Sequence, residues 1–146
     1  MSLALACDLV VAAADAKFVM SYAKVGLTPD GGGSWHLARM LPRALALELL
    51  WLATPVTGER MHALGLVNRV TDKGQALAEA LGLAAKLAAM APNAVAGAKE
   101  LVARAALSPL AEHLEAERQQ FIANLFHDNG GEGLKAFFEK RPPQFR

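Results

Sequence analysis

A carboxylate set between a proline and three glycines, in Gly26-Leu27-Thr28-Pro29-Asp30-Gly31-Gly32-Gly33-Ser34-Trp35, is the arrangement in this chain best suited to chemistry. Pro29 fixes its own φ and drives Thr28 out of helical geometry, and the glycines remove every side chain that would crowd an approaching ligand. Asp30 is thereby held on a tight turn beside backbone N–H groups, with Gly31 and Gly32 as the surface a substrate would approach. A carboxylate so placed can serve as acid, base or nucleophile. The competing role is structural, because an aspartate just before a helix is a natural N-cap. Both roles are compatible only if one oxygen caps and the other points into a cleft.

Other residues offer less. His36 lies one turn into the glycine-led helix and reads as packed or surface-exposed. His62, His113 and His127 lack metal-ligand spacing, so no metal site is expected. Tyr22 can donate a hydrogen bond into a pocket or simply pack at a strand end. Trp35 and Met20 read first as core. Cys7 is the only cysteine, which excludes an internal disulfide, and a buried free thiol is the expectation. Glu112, Glu115, Glu117 and Arg118 read as a solvated helix face.

The elements that must position Asp30 follow from periodicity and punctuation. Met1 to Cys7 is expected to be a short helix. Asp8 to Ala14 and Lys17 to Met20 are expected to be two short buried strands joined by a turn. A helix with Asp30 as N-cap is expected to run to Met40 before Pro42. A second helix, Arg43 to Ala53, would place Leu45, Leu49 and Leu52 on one face until Thr54-Pro55 stops it. A short helix from Glu59 to Leu64 and a strand from Leu66 to Val70 complete an α/β part, residues 1–72. Helices at Gln75 to Met90, Asn93 to Ala106, Pro109 to Phe126 and Glu132 to Lys140 form a second part, residues 73–146.

Composition narrows the function classes. Fifteen basic and 14 acidic residues leave a net charge of +1, which offers no field for nucleic acid or an anionic membrane. Hydrophobic residues make up 53% of the 146, at the upper edge for a soluble domain, so part of the apolar surface is expected to meet another chain or further polypeptide. Asp8 interrupts the opening apolar run, no basic region precedes it, and no later run reaches the roughly 18 residues of a membrane span. The expectation is a soluble, cytoplasmic protein.

The succession Ser2-Leu3-Ala4-Leu5-Ala6-Cys7-Asp8-Leu9-Val10-Val11-Ala12, Ala16-Lys17-Phe18, Gly26 to Ser34 and Gly65-Leu66-Val67-Asn68-Arg69-Val70 resembles the enoyl-CoA hydratase/isomerase (crotonase) superfamily. Glu132 to Phe145 resembles that family's last helix and tail. The resemblance runs the length of the chain but covers only the second half of a typical member, as in a fragment, a truncated gene product or a chain with a late-assigned start. It implies an α/β fold: the C-terminal part of a ββα spiral followed by a helical trimerisation region. It further implies an acyl-CoA substrate, no cofactor beyond the coenzyme A carried by that substrate, and a homo-oligomer, trimer or hexamer. Both N–H donors of the family's oxyanion hole would lie in the preceding half.

Against the family pattern, Ser2 and Tyr22 stand where hydratases carry two glutamates. A serine hydroxyl is too weakly acidic to act as an unaided base, which leaves Asp30. Its position matches the acidic base of enoyl-CoA isomerases, including the ring-opening branch of phenylacetate degradation, and also the nucleophile of an aryl-CoA dehalogenase. The resemblance thus implies double-bond isomerisation through an enolate with Asp30 as proton shuttle. Hydration of a 2-enoyl-CoA and a non-catalytic remnant without an oxyanion hole are the alternatives. By the same resemblance Phe137 and Lys140 would reach the coenzyme A of a neighbouring subunit, unless the Glu139-Lys140-Arg141 cluster is only a charged helix end.

Overall fold

Valine and alanine after Asp8 do form a strand, β1 (Val11–Ala13), but its partner is distant in sequence. β1 pairs in parallel with a strand at Arg69–Thr71, Val11 opposite Arg69 and Ala13 opposite Thr71. The computed structural model describes residues 1–146, which divide into two units, Met1–Gly82 and Leu83–Arg146.

In the first unit, α1 (Ser2–Leu5) leads into β1, and a turn closed by the Ala16 N–H on the Ala13 carbonyl leads to β2 (Lys17–Phe18). The expected pair of buried strands is corrected here. β2 runs antiparallel to β3 (Val56–Thr57), not beside β1, and Lys17 is exposed. β1 is paired instead with β4 (Arg69–Thr71). The Val10 N–H donates to Asn68 Oδ1 at 2.7 Å, and the Ala14 N–H donates to the Thr71 carbonyl at 2.9 Å. β4 starts three residues later than the sequence suggests, and Leu66 and Val67 enter the core from the preceding turn.

A 3-10 turn (Ser21–Val25) ends at Gly26 with φ 71°, a conformation that glycine adopts without cost. α2 (Gly33–Met40) and α3 (Arg43–Leu52) follow, separated by Pro42, which cannot continue the first but suits the start of the second. The buried stripe of α3 is Ala46 and Leu49, continued by Ala53, rather than Leu45, Leu49 and Leu52, and Leu52 is exposed. Small side chains at 46 and 53 let this face approach its neighbours closely. Thr57 caps α4 (Gly58–Ala63), its hydroxyl accepting the Arg60 N–H at 3.2 Å. Leu5, Ala12, Met20, Leu37, Leu49, Met61 and Val67 share one core. At the far end of this unit, α5 (Ala76–Ala88) begins, and Glu79 in its first turn pairs with Arg69 of β4.

The second unit is helical: α6 (Pro92–Ala105), α7 (Leu110–Leu125) and α8 (Asp128–Glu139). α8 begins four residues before the expected Glu132, because the His127 ring accepts the Asn129 N–H at 3.1 Å and caps the helix ahead of its two glycines. Three amides join the helices. Asn93 donates to Asn124 at 2.6 Å, and buried Asn129 donates to Asn93 at 2.8 Å and exchanges two hydrogen bonds with the backbone of Arg146. Burial of these polar groups is tolerable because each finds a partner. Glu115, read from the sequence as part of a solvated face, makes a bidentate pair with Arg118 there. No single helix is long and apolar enough to cross a membrane.

The tail is held by charge. Glu132 receives Arg141 through both oxygens and also the Gln144 N–H. The Arg141 hydrogen bonds, and after them the Gln144 N–H, lower the Glu132 carboxyl from 4.5 to about 2. A pKa depressed on folding means that the clamp is fully formed above about pH 4.5 and is lost as pH falls through about 2. Protection of the Gln144 amide from hydrogen exchange, corrected for intrinsic rate, is therefore expected to decline across that window. Unchanged protection at its acid end would refute the clamp.

Candidate active site

Gly31 and Gly32 adopt φ values of 57° and 77°, and Gly32 rather than Asp30 is the N-cap of α2, without a side-chain cap. The expectation that Asp30 caps the helix is thus corrected. Two glycines carry the chain through left-handed geometry before the helix begins at Gly33, so only the Asp30 backbone carbonyl is used, accepting the Gly33 N–H at 3.1 Å. The carboxylate is released for another partner.

That partner is Tyr22. Its hydroxyl donates to Asp30 Oδ1 at 2.5 Å, which leaves Oδ2 unpaired on an exposed residue. Sequence reading missed this contact, although the signal was present: Gly26 ends the 3-10 turn, the Leu27 N–H returns to the Tyr22 carbonyl at 3.0 Å, and Pro29 directs the chain back past the phenol. Ser2 forms the floor. It is buried, its Oγ lies 3.5 Å from the Tyr22 oxygen and 3.9 Å from Met20 Sδ, and the glycine run passes directly over it. A Cβ at Gly33 would stand 2.7 Å from Ser2 Oγ and 2.3 Å from Met20 Cε, so any larger residue there would have to displace the Met20 and Ser2 side chains.

The structure therefore brings together Ser2, Tyr22, Asp30, Gly31 and Gly32. Asp30 supplies a carboxylate that can accept and return a proton, and the phenol and serine supply neutral donors. Met20 is core, as read, whereas Trp35 is half exposed, with Arg39 stacked 3.9 Å over its ring and His36 edge-on. Cys7 is exposed, correcting the expectation of a buried thiol. It follows α1, and its Sγ donates outward to the Leu3 carbonyl at 3.4 Å.

Phe137 and Lys140 belong to the second unit, at the end of α8. Both are exposed, and Lys140 closes the helix with φ 54°. Arg141, beside them, is engaged by Glu132 and Glu139. A polar cavity of about 490 Å³ lies by these groups, but its Asn129, Glu132 and Arg141 are already committed to one another or to the tail.

The sequence pattern of the enoyl-CoA hydratase/isomerase family matches residues 1–146, the whole chain. The chain belongs to that family. Among relatives, a Mycobacterium leprae protein described as a probable enoyl-CoA hydratase is 39% identical over 143 residues, covering 98% of this chain and 56% of that protein. The 1,2-epoxyphenylacetyl-CoA isomerase of Escherichia coli is 38% identical, covering 99% and 55%. The crystal structure of an enoyl-CoA hydratase from Polaromonas sp. JS666 superposes with a TM-score of 0.97 at 59% identity, covering 99% of this chain and 56% of that one. The chain thus spans a little over half the length of these relatives. Its fold is the C-terminal part of the crotonase α/β spiral with the helical region that follows.

Proposed function

We propose that this chain carries the acid/base part of an acyl-CoA-processing site and that the reaction is double-bond isomerisation of an enoyl-CoA, with Asp30 as the proton carrier. The observation that carries the reading is Asp30 itself: uncapped, exposed on a glycine turn, one oxygen held by Tyr22 and the other open. It is the one carboxylate in the cluster, and by the family resemblance Ser2 and Tyr22 stand where hydratases carry glutamates. Relatives named as hydratases and as an isomerase match over the same span, so the choice between reactions rests on these residues.

In this reading the Asp30 carboxylate removes a proton from the carbon between the thioester and the double bond of a 3-enoyl-CoA. The C–H electron pair moves into the π system, placing charge on the thioester oxygen, where N–H donors stabilise the enolate. The Asp30 carboxylic acid then returns the proton to the other end of the allyl unit, so the double bond shifts and no atom is gained or lost. No cofactor is needed beyond the coenzyme A of the substrate, and the phosphates and pantetheine of that group would meet Lys140 and Phe137 of a neighbouring subunit. Exposed Leu110, Phe121, Phe126, Phe137 and Phe138 in the helical unit support a homo-oligomer, trimer or hexamer, in which such faces are covered.

Hydration is the second reading, favoured by the hydratase description of the Polaromonas structure. The two separate on substrate choice. The full-length polypeptide is expected to shift the double bond of a 3-enoyl-CoA with kcat/KM at least about 10²-fold above that for hydrating crotonyl-CoA, the loss expected when a hydration site lacks one general acid or base. Efficient hydration that survives Asp30→Asn would sink isomerisation.

A further inference from the structure

We propose that Tyr22 is the positioning residue of Asp30: its hydroxyl fixes the carboxylate through Oδ1, so that Oδ2 alone takes and returns the substrate proton. The inference rests on the reading of Asp30 as the proton carrier and extends it to a residue that exchanges no proton with substrate.

A carboxylate on an exposed glycine-rich turn has little to hold it. No cap bond is made, and Gly31 and Gly32 offer no side chain to pack against. Left to itself the side chain would populate several rotamers, whereas proton transfer to carbon requires the reacting atoms within about 3–3.5 Å and aligned. The 2.5 Å bond from Tyr22 removes that freedom.

The phenol can do this because it is itself held. Its ring is half-buried against the core, and its carbonyl accepts the Leu27 N–H, fixing the base of the side chain on the segment that presents Asp30. A phenol has one proton, and here it is committed to Asp30. The Ser2 hydroxyl donates to Met20 Sδ at 3.9 Å and stands 3.5 Å from the phenol oxygen, so it does not draw the phenol proton away from Asp30. Donation runs from Tyr22 to Asp30 and ends on the carboxylate. Differentiating the two oxygens suits a shuttle, because the oxygen that collects the proton at one carbon is the one that delivers it at the other.

Tyr22→Phe keeps the ring and deletes the hydroxyl. In the full-length polypeptide acting on a 3-enoyl-CoA, it is expected to lower kcat by about 10- to 100-fold with KM within about twofold, the signature of lost alignment rather than lost binding. Placed on Asp30→Asn, the same change is expected to cost less than about twofold more, because the group it positions no longer carries protons. Wild-type kcat in Tyr22→Phe, a rise in KM at constant kcat, or an undiminished loss on the Asp30→Asn background would each overturn the proposal. Wild-type kcat in Asp30→Asn would remove the underlying reading and the proposal with it, a result distinct from a failure of Tyr22 alone. Matching far-UV circular dichroism and melting temperature in Tyr22→Phe exclude misfolding as the source of a loss.

Discussion

Asp30→Asn is expected to lower kcat for double-bond shift by about 10²- to 10⁴-fold, the range for loss of a general acid/base, with little change in KM. Asparagine is nearly isosteric, and its Oδ1 can still accept the Tyr22 hydroxyl, so the turn keeps its geometry while losing the atom that binds a proton. Stability separates this from a structural role. Asp30 makes no side-chain cap, so on a Tyr22→Phe background, which already lacks the hydrogen bond to Asp30, Asp30→Ala should leave the denaturation midpoint within the equivalent of about 0.5 kcal/mol, the usual scatter of surface substitutions. Loss of a true N-cap would cost about 1 kcal/mol. A stability loss of that size with activity intact would return Asp30 to the structural role.

Leu37→Ala is expected to destabilise the fold by about 2–5 kcal/mol, the range for truncating a buried leucine. Leu37 has no exposed surface and sits in the middle of α2, the helix that begins at the glycine run. Truncation leaves a cavity between α2 and the core that includes Leu5, Met20 and Leu49, and close packing gives such a cavity little means to collapse. Chemical denaturation of the full-length polypeptide is expected to show a lower midpoint with an unchanged slope. Unchanged midpoints would mean that α2 is not anchored through this residue. Activity under native conditions should fall far less than in Asp30→Asn, because the chemical groups remain.

Local punctuation made much of this chain legible. Pro42, Pro55 and Pro92 stop or start helices because a proline cannot donate and fixes φ, which requires no knowledge of the rest of the fold. The turn at Pro29 to Gly33 was readable for the same reason, as was a carboxylate on it. Partners were not. β1 pairs with residues 69–71, nearly sixty positions away, and nothing within a strand of three residues specifies that choice. Asp30 was ambiguous because sequence presents a cap and a free carboxylate identically. The difference arises from how many glycines the chain spends in left-handed geometry before the helix starts. Cys7 was misjudged because type sets only a tendency to be buried, whereas the end of α1 sets where its thiol points. In the second unit, His127 does not look like a cap, and without it the glycines at 130 and 131 argue for a later helix start.

The contact between the glycine run and the residues beneath it has an evolutionary corollary. Ser2, Met20 and Gly33 occupy one volume, with a Cβ at 33 already inside the radii of the other two. These three positions are therefore not independent characters. A lineage that enlarges the residue at 2 must retain glycine at 33 or shorten the side chain at 20. A serine at 2 leaves barely enough slack for any exchange to be tried singly. Chemical diversification that leaves this packing intact is thus channelled away from the helix mouth and toward position 30, where the side chain is exposed on the turn.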